Sequence, residues 1–164
     1  MKAESPDKKS GSSDVLEVFD AFHRDVRIQL DRLLSLVGEL QMEAPPDEKV
    51  KEEVRDVIAF FTGPVRDHNY DEERSVFPSL RSSDDSQVRQ AAGDLCEDHA
   101  WIELCWLDME PALAMVANGS AARHLPALRS TVQAFAGVLR DHMDLEESLL
   151  YPQLRGRLRV AAVR

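Results

Sequence analysis

Apolar residues recur at i, i+3, i+4 and i+7 in four long stretches, the spacing that lines one face of an α-helix. The first stretch runs from about Asp14 to Met42 and puts Val15, Phe19, Phe22, Val26, Leu30, Leu33 and Val37 on one stripe. Ser12, Ser13 and Asp14 are its candidate N-caps. Ala44-Pro45-Pro46-Asp47 ends it. The second stretch spans about Glu48 to Val76, with a kink expected at Gly63-Pro64 and an end at Pro78. A polar turn, Ser82 to Asp85, leads into the third, which reaches about Ala117 and is expected to bend near Pro111. After the loop Asn118-Gly119-Ser120 the fourth runs from about Pro126 to Leu150, where Pro152 ends it. No stretch alternates as a strand does. The pattern predicts an all-α fold, and short loops between long amphipathic helices favour an antiparallel up-down-up-down four-helix bundle over residues 14–155. Residues 1–13 are polar and lysine-bearing and are expected to form a flexible tail. Arg155, Arg157, Arg159 and Arg164 mark a short basic tail over residues 156–164.

The 164 residues make about one domain, and 43% hydrophobic with only 6% aromatic content suits a helical globular chain. The net charge of −10 repels nucleic acid and anionic membrane, so neither is expected as a partner. No apolar run approaches the roughly 18 residues of a membrane helix, and Met1 to Ser13 lacks the apolar stretch of a secretion signal. On one helix, Cys96 and Cys105 would stand about 13 Å apart, too far to bridge within it. Free thiols point to a reducing cytoplasm.

Self-comparison carries the chemistry. Residues 68–80 read HNYDEERSVFPSL and residues 142–154 read HMDLEESLLYPQL, both fitting His-x-x-x-Glu-Glu-x-x-x-aromatic-Pro-x-Leu. The helix before each copy holds another histidine, His23 and His99, 45 and 43 residues upstream of His68 and His142. The chain therefore reads as two similar helical hairpins, each supplying His and then His-x-x-x-Glu. Residues four apart on a helix point about 40° apart, so His68 pairs with Glu72, and His142 with Glu146. Apolar neighbours (Phe19 and Val26 around His23, Leu95 and Ile102 around His99) turn those faces to the core.

Burying two carboxylates without counter-charge costs several kcal/mol each. A metal pair removes that cost, and imidazole with carboxylate suits iron, zinc or manganese. The assignment is His23, His68, His99 and His142 as terminal ligands, with Glu72 and Glu146 bridging. Glu103, four residues after His99, is either a further ligand or a proton acceptor beside it; the competing reading is a buried ion pair with Arg27, its counterpart in the repeat. Glu73 and Glu147 lie about 140° round from their histidines and are expected to be solvated or to support the ligands. Phe77 and Tyr151 are expected to close the bundle end, Asp67, Asp98 and Asp141 to be solvated, and His124 to lie on the surface. Phe19, Val65, Leu95, Val138 and Leu139 would wall the site, leaving room for O2, NO or peroxide and little for an organic substrate.

This arrangement closely resembles the hemerythrin-like, or HHE cation-binding, domain over about residues 15–155. The resemblance implies a non-haem centre of two iron ions bridged by oxo or hydroxo, with zinc or manganese as other occupants. It further implies binding of, or reaction with, O2, peroxide or NO in oxidative or nitrosative stress or iron homeostasis. If the centre turns over, the reaction is a peroxide- or NO-directed oxidoreduction with a redox partner; the alternative is a non-enzymatic sensor of iron, oxygen or redox state. Oxygen-carrying hemerythrins have a fifth histidine where this chain has Glu103, and Asp where it has Glu147. With four histidines the set is closer to repair and iron-sensor members. A ferritin-like oxidase would need Glu-x-x-His, which this chain lacks.

Overall fold

The computed structural model describes residues 11–42 and 44–161. It contains α1 (Gly11–Glu39), α2 (Glu48–Thr62), α3 (Pro64–Ser75), α4 (Phe77–Arg81), α5 (Ser86–Ala117), α6 (Leu125–Leu145), a π-helical turn (Glu146–Leu150) and α7 (Tyr151–Ala161). The described residues are all-α, with no strand among them.

Local chemistry sets the boundaries. The Asp47 carboxylate accepts from the Val50 amide at 2.8 Å and caps α2, and Asp85 does the same for α5 through Gln87. Pro64 has no N–H, so the helical ladder breaks at Gly63, and α3 restarts with the proline in its first turn. α5 ends where Gly119 takes φ +86, which lets the Ser120 amide reach back to the Met115 carbonyl at 2.9 Å.

Three expectations need correcting. α1 begins at Gly11, so the caps expected at Ser12, Ser13 and Asp14 lie inside it; it ends at Glu39 rather than Met42. Pro78 and Pro152 do not end helices. Pro78 sits in the first turn of a new one, α4, where a missing N–H costs no helical bond, and Pro152 follows the π turn in a helical run that continues into α7. α7 thus runs on to Ala161, into the expected basic tail, of which residues 162–164 lie outside the described residues. Of the expected N-terminal tail, residues 1–10 lie outside the described residues.

α1 packs on α2 and α6, and α5 packs on α2 and α6, closing a ring of helices around the interior. The interior has two apolar clusters. The larger runs from Val26 and Leu30 through Phe61, Trp106 and Phe135. The smaller holds Leu16, Phe19, Phe77, Leu95, Leu150 and Tyr151. Along α1 the sequence passes from the small cluster through His23 into the large one, and along α5 it does so through His99. A polar layer is therefore sandwiched between two dry ones.

Candidate metal centre

That layer holds His23, His99, His142, Glu72 and Glu146, all buried, and His68, whose side chain is 8% exposed. Four helices and the π turn supply them: α1 His23, α3 His68 and Glu72, α5 His99, α6 His142, and the π turn Glu146. All six residues assigned from the repeat come together.

The histidines face each other in pairs. His23 Nε2 lies 3.1 Å from His68 Nε2, and His99 Nε2 lies 3.0 Å from His142 Nε2. Each glutamate presents one oxygen to each pair. Glu72 Oε1 is 3.4 Å from His68 Nε2, and its Oε2 is 3.6 Å from His99 Nε2. Glu146 Oε2 is 3.4 Å from His23 Nε2, and its Oε1 is 3.3 Å from His142 Nε2. The donor atoms fall into two groups, one of Glu72, His99, His142 and Glu146 and one of His23, His68 and Glu72, each with its atoms within 4.8 Å of one another.

Outside the cluster, carboxylates hold the far sides of the imidazoles. Glu147 Oε1 takes the Nδ1 hydrogen of His23 at 2.9 Å, and Glu73 Oε1 takes that of His99, also at 2.9 Å. With the proton on Nδ1, each Nε2 points its lone pair inward, the tautomer a metal requires. Asp98 Oδ2 stands 3.6 Å from His142 Nδ1. These contacts explain the 140° offset of Glu73 and Glu147. They point away from their own hairpin's histidines because each reaches the upstream histidine of the other hairpin. Asp98, expected to be solvated, is half-exposed but faces His142.

Arg27 and Glu103 do not pair. Arg27 donates to Glu147 at 2.8 Å and to Asp144 at 2.8 Å. Glu103, 41% exposed, meets Arg66 at 3.1 Å and stays out of the ligand groups. The reason is geometric: Glu147 and Asp144 come to Arg27 from the neighbouring chain segment, while Glu103 faces the α3 side of α5.

Tyr151 was expected only to close the end of the structure. Its ring does stack on His23, but its hydroxyl donates to Glu72 Oε1 at 2.9 Å and lies 3.3 Å from His23 Nε2. Its repeat counterpart Phe77 stacks on His99 in nearly the same way, with ring centres 5.5 Å apart against 5.6 Å for the tyrosine pair. The shared spacing from each glutamate to an aromatic was the sequence signal for both. His124 stands exposed at the start of α6, as expected.

Electrostatics follow from burial. Desolvation lowers His23 and His142 and brings His68 down to about 4, so these imidazoles are neutral near pH 7. Burial opposes the charge on Glu72 too, but the close approach of His99 and the other surrounding histidines outweigh it and hold the group near 2. Glu146 goes the other way: burial and then the Glu72 charge raise it well above its ordinary 4.5. Two carboxylates in one dry layer cannot both ionise without cations. Among the described residues, Glu72 Oε2, both Glu146 oxygens and His142 Nδ1 have no hydrogen-bond partner. Buried acceptors without donors, beside converging imidazole lone pairs, form a donor set suited to cations.

A cavity of about 680 Å³ opens between α2, α3 and α5, with His99 in its wall. Val65, expected to wall the site, also lines this cavity.

Among known families, the model described as the hemerythrin HHE cation binding domain matches residues 14–154. No curated protein and no solved structure matches the chain.

Proposed function

Because the chain belongs to the hemerythrin HHE cation-binding family, we propose that it is a non-haem two-iron protein that binds or reacts with O2, peroxide or NO. The observation that carries this reading is the split of each buried glutamate between two histidine pairs. His23 and His68 would hold one ion and His99 and His142 the other, with Glu72 and Glu146 reaching both. In this reading the ring of helices is an antiparallel four-helix bundle of two similar hairpins. Zinc and manganese fit the same donors; zinc has no redox chemistry to offer O2, peroxide or NO, and iron is the occupant this reading takes.

The chain's own groups do the rest. Glu147 and Glu73 fix the tautomers of His23 and His99, Tyr151 anchors one oxygen of Glu72, and the two apolar clusters keep bulk water from the layer. Two free cysteines, Cys96 and Cys105, support a reducing cytoplasmic setting, and no described helix is long and apolar enough to cross a membrane. The acidic surface supports a small-molecule ligand in place of nucleic acid or membrane.

Metal analysis with an optical spectrum tests this, recorded before and after reduction and exposure to O2, NO and peroxide. Two irons per chain with ligand-dependent absorption bands are expected; a purified chain that takes up no iron pair sinks the reading. The partnerless oxygens of Glu72 and Glu146 also favour a sensing role, because metal binding then adds directly to folding stability. Equal melting temperatures with and without metal would remove that second reading.

A further inference from the structure

Eight large apolar side chains are exposed among the described residues, and four of them, Trp101, Leu104, Leu107 and Met115, stand on α5. At 100° per residue these four share an arc of about 120° along about 21 Å of helix, with Pro111 between them. Asp108 is the one charge inside that strip. The opposite face of α5 supplies Leu95, Ile102, Trp106 and Leu113 to the interior. A surface helix turns one apolar stripe to the core. α5 carries a second, and a helix apolar on both faces is one that is covered on both. Beside the strip, a cavity of about 340 Å³ opens between the second half of α5 and the start of α6. Met109, Ala112, Met115, Ala122 and Leu128 line it, with Arg123 in its wall.

We propose that a second copy of this chain docks on that face, α5 against α5 and antiparallel, each copy seating Trp101 in the other's α5–α6 cavity. The knob and the hole lie about 16 Å apart along one helix, so a two-fold axis between them fills both at once. Charge selects the same direction. Exposed Asp94 and Glu97 stand one to two turns before Trp101, and an antiparallel overlay carries them toward Arg123 of the second copy. Neither Glu97 nor Arg123 is in an ion pair among the described residues. A parallel pair would lay acid on acid and leave the cavity empty. The four apolar side chains are each more than half exposed. With Pro111, Ala112 and the cavity mouth they offer on the order of 600 Å² per chain, the low end for a specific pair. The net charge of −10 opposes association at long range. The pair is therefore weak and concentration-dependent.

Sedimentation of the full chain in reductant, from low micromolar to near-millimolar concentration, tests this together with acrylamide quenching of tryptophan fluorescence. The mass should rise from 18.5 kDa toward twice that value. Trp101 is the exposed indole and Trp106 the buried one, so quenching should fall in step with the mass. Trp101→Ala, which removes the knob, and Ala112→Trp, which fills the hole, should each raise the dissociation constant tenfold or more. Ile28→Glu, at an equally exposed apolar position on α1, should leave it within twofold. Glu97→Arg and Arg123→Glu should each weaken the pair, and the two together should restore it. Unchanged melting temperatures of the dilute variants separate lost docking from lost folding. A chain that stays at 18.5 kDa throughout overturns the proposal and leaves the face to a different partner. A pair in which Trp101 is quenched as freely as in the dilute chain, or one indifferent to Ala112→Trp, overturns it as well.

Discussion

The two hairpins carry the same ligand types at matching spacings and differ in the residues around them. Near His23 the brace Glu147 is itself held by Arg27, and Tyr151 adds a hydroxyl to the layer. Near His99 the residue matching Arg27 is Glu103, which turns to Arg66, and the residue matching Tyr151 is Phe77. One side carries an arginine-held brace and a phenol; on the other, His99 lines a cleft. The repeat supplies a buried His/Glu cluster that could hold metal, and the departures from the repeat give its two sides different surroundings.

Substitutions at matched positions probe how far that likeness goes. Glu72→Gln and Glu146→Gln should cost most, since each removes a charge shared by both metal positions; metal analysis should then find one ion or none per chain. His68→Ala and His142→Ala should each lose mainly the ion of its own half. Two ions retained by either glutamine variant would break the shared-carboxylate picture. Next come the braces: Glu147→Gln and Glu73→Gln should weaken metal affinity by about 10–100-fold in chelator competition. Arg27→Ala should weaken only the first half, and less, because it acts through Glu147.

In the metal-free protein the same change should act with opposite sign in the two repeats. Glu146→Gln should raise stability by about 1–2 kcal/mol at about pH 8 by removing a carboxylate that burial disfavours, while Glu72→Gln should lower it. The pH dependence follows. His23, His68 and His142 are lowered from 6.5, so their share of stability is lost as pH falls below 6.5, for His68 down through about 4. Glu146 is raised, so its share is full below 4.5 and lost as pH rises through its folded value. Between pH 4.5 and its folded value the Glu146 slope runs downward with pH, against the upward slope of the histidines below 6.5. Denaturant melts should show that slope in the wild type and a flatter one in Glu146→Gln; identical slopes would refute it. Smallest is Tyr151→Phe, which should lower metal-free stability by about 1 kcal/mol through the lost bond to Glu72. Phe77→Tyr should not lower it, because it brings a hydroxyl toward the donor-poor Glu146; a loss in both would erase the contrast.

The four amphipathic stretches, the kink at Gly63-Pro64 and the convergence of six side chains were legible because they rest on helical periodicity and on a repeat, both local properties of the sequence. What escaped depended on how one hairpin meets the other. The partners of Glu73 and Glu147 are histidines of the opposite hairpin, and spacing within one helix cannot show them. Arg27 and Glu103 match in the repeat yet choose different partners for the same reason. The bond from the Tyr151 hydroxyl to Glu72 also crosses from one repeat to the other, and the π turn that aims it has no signal in helical spacing.

That π-helical turn has a consequence for tolerance to change. Both repeats place an aromatic five residues after the glutamate, yet the first reaches it across the interruption at Val76 and the second by widening one turn, so that the Tyr151 amide bonds to the Glu146 carbonyl. An ordinary helix would swing the tyrosine about 140° off the glutamate's side. Exposed Ser148 should accept many replacements, whereas deleting it would let the backbone relax into regular winding and carry the phenol away from His23. In this stretch the chain's length is held more tightly than its letters.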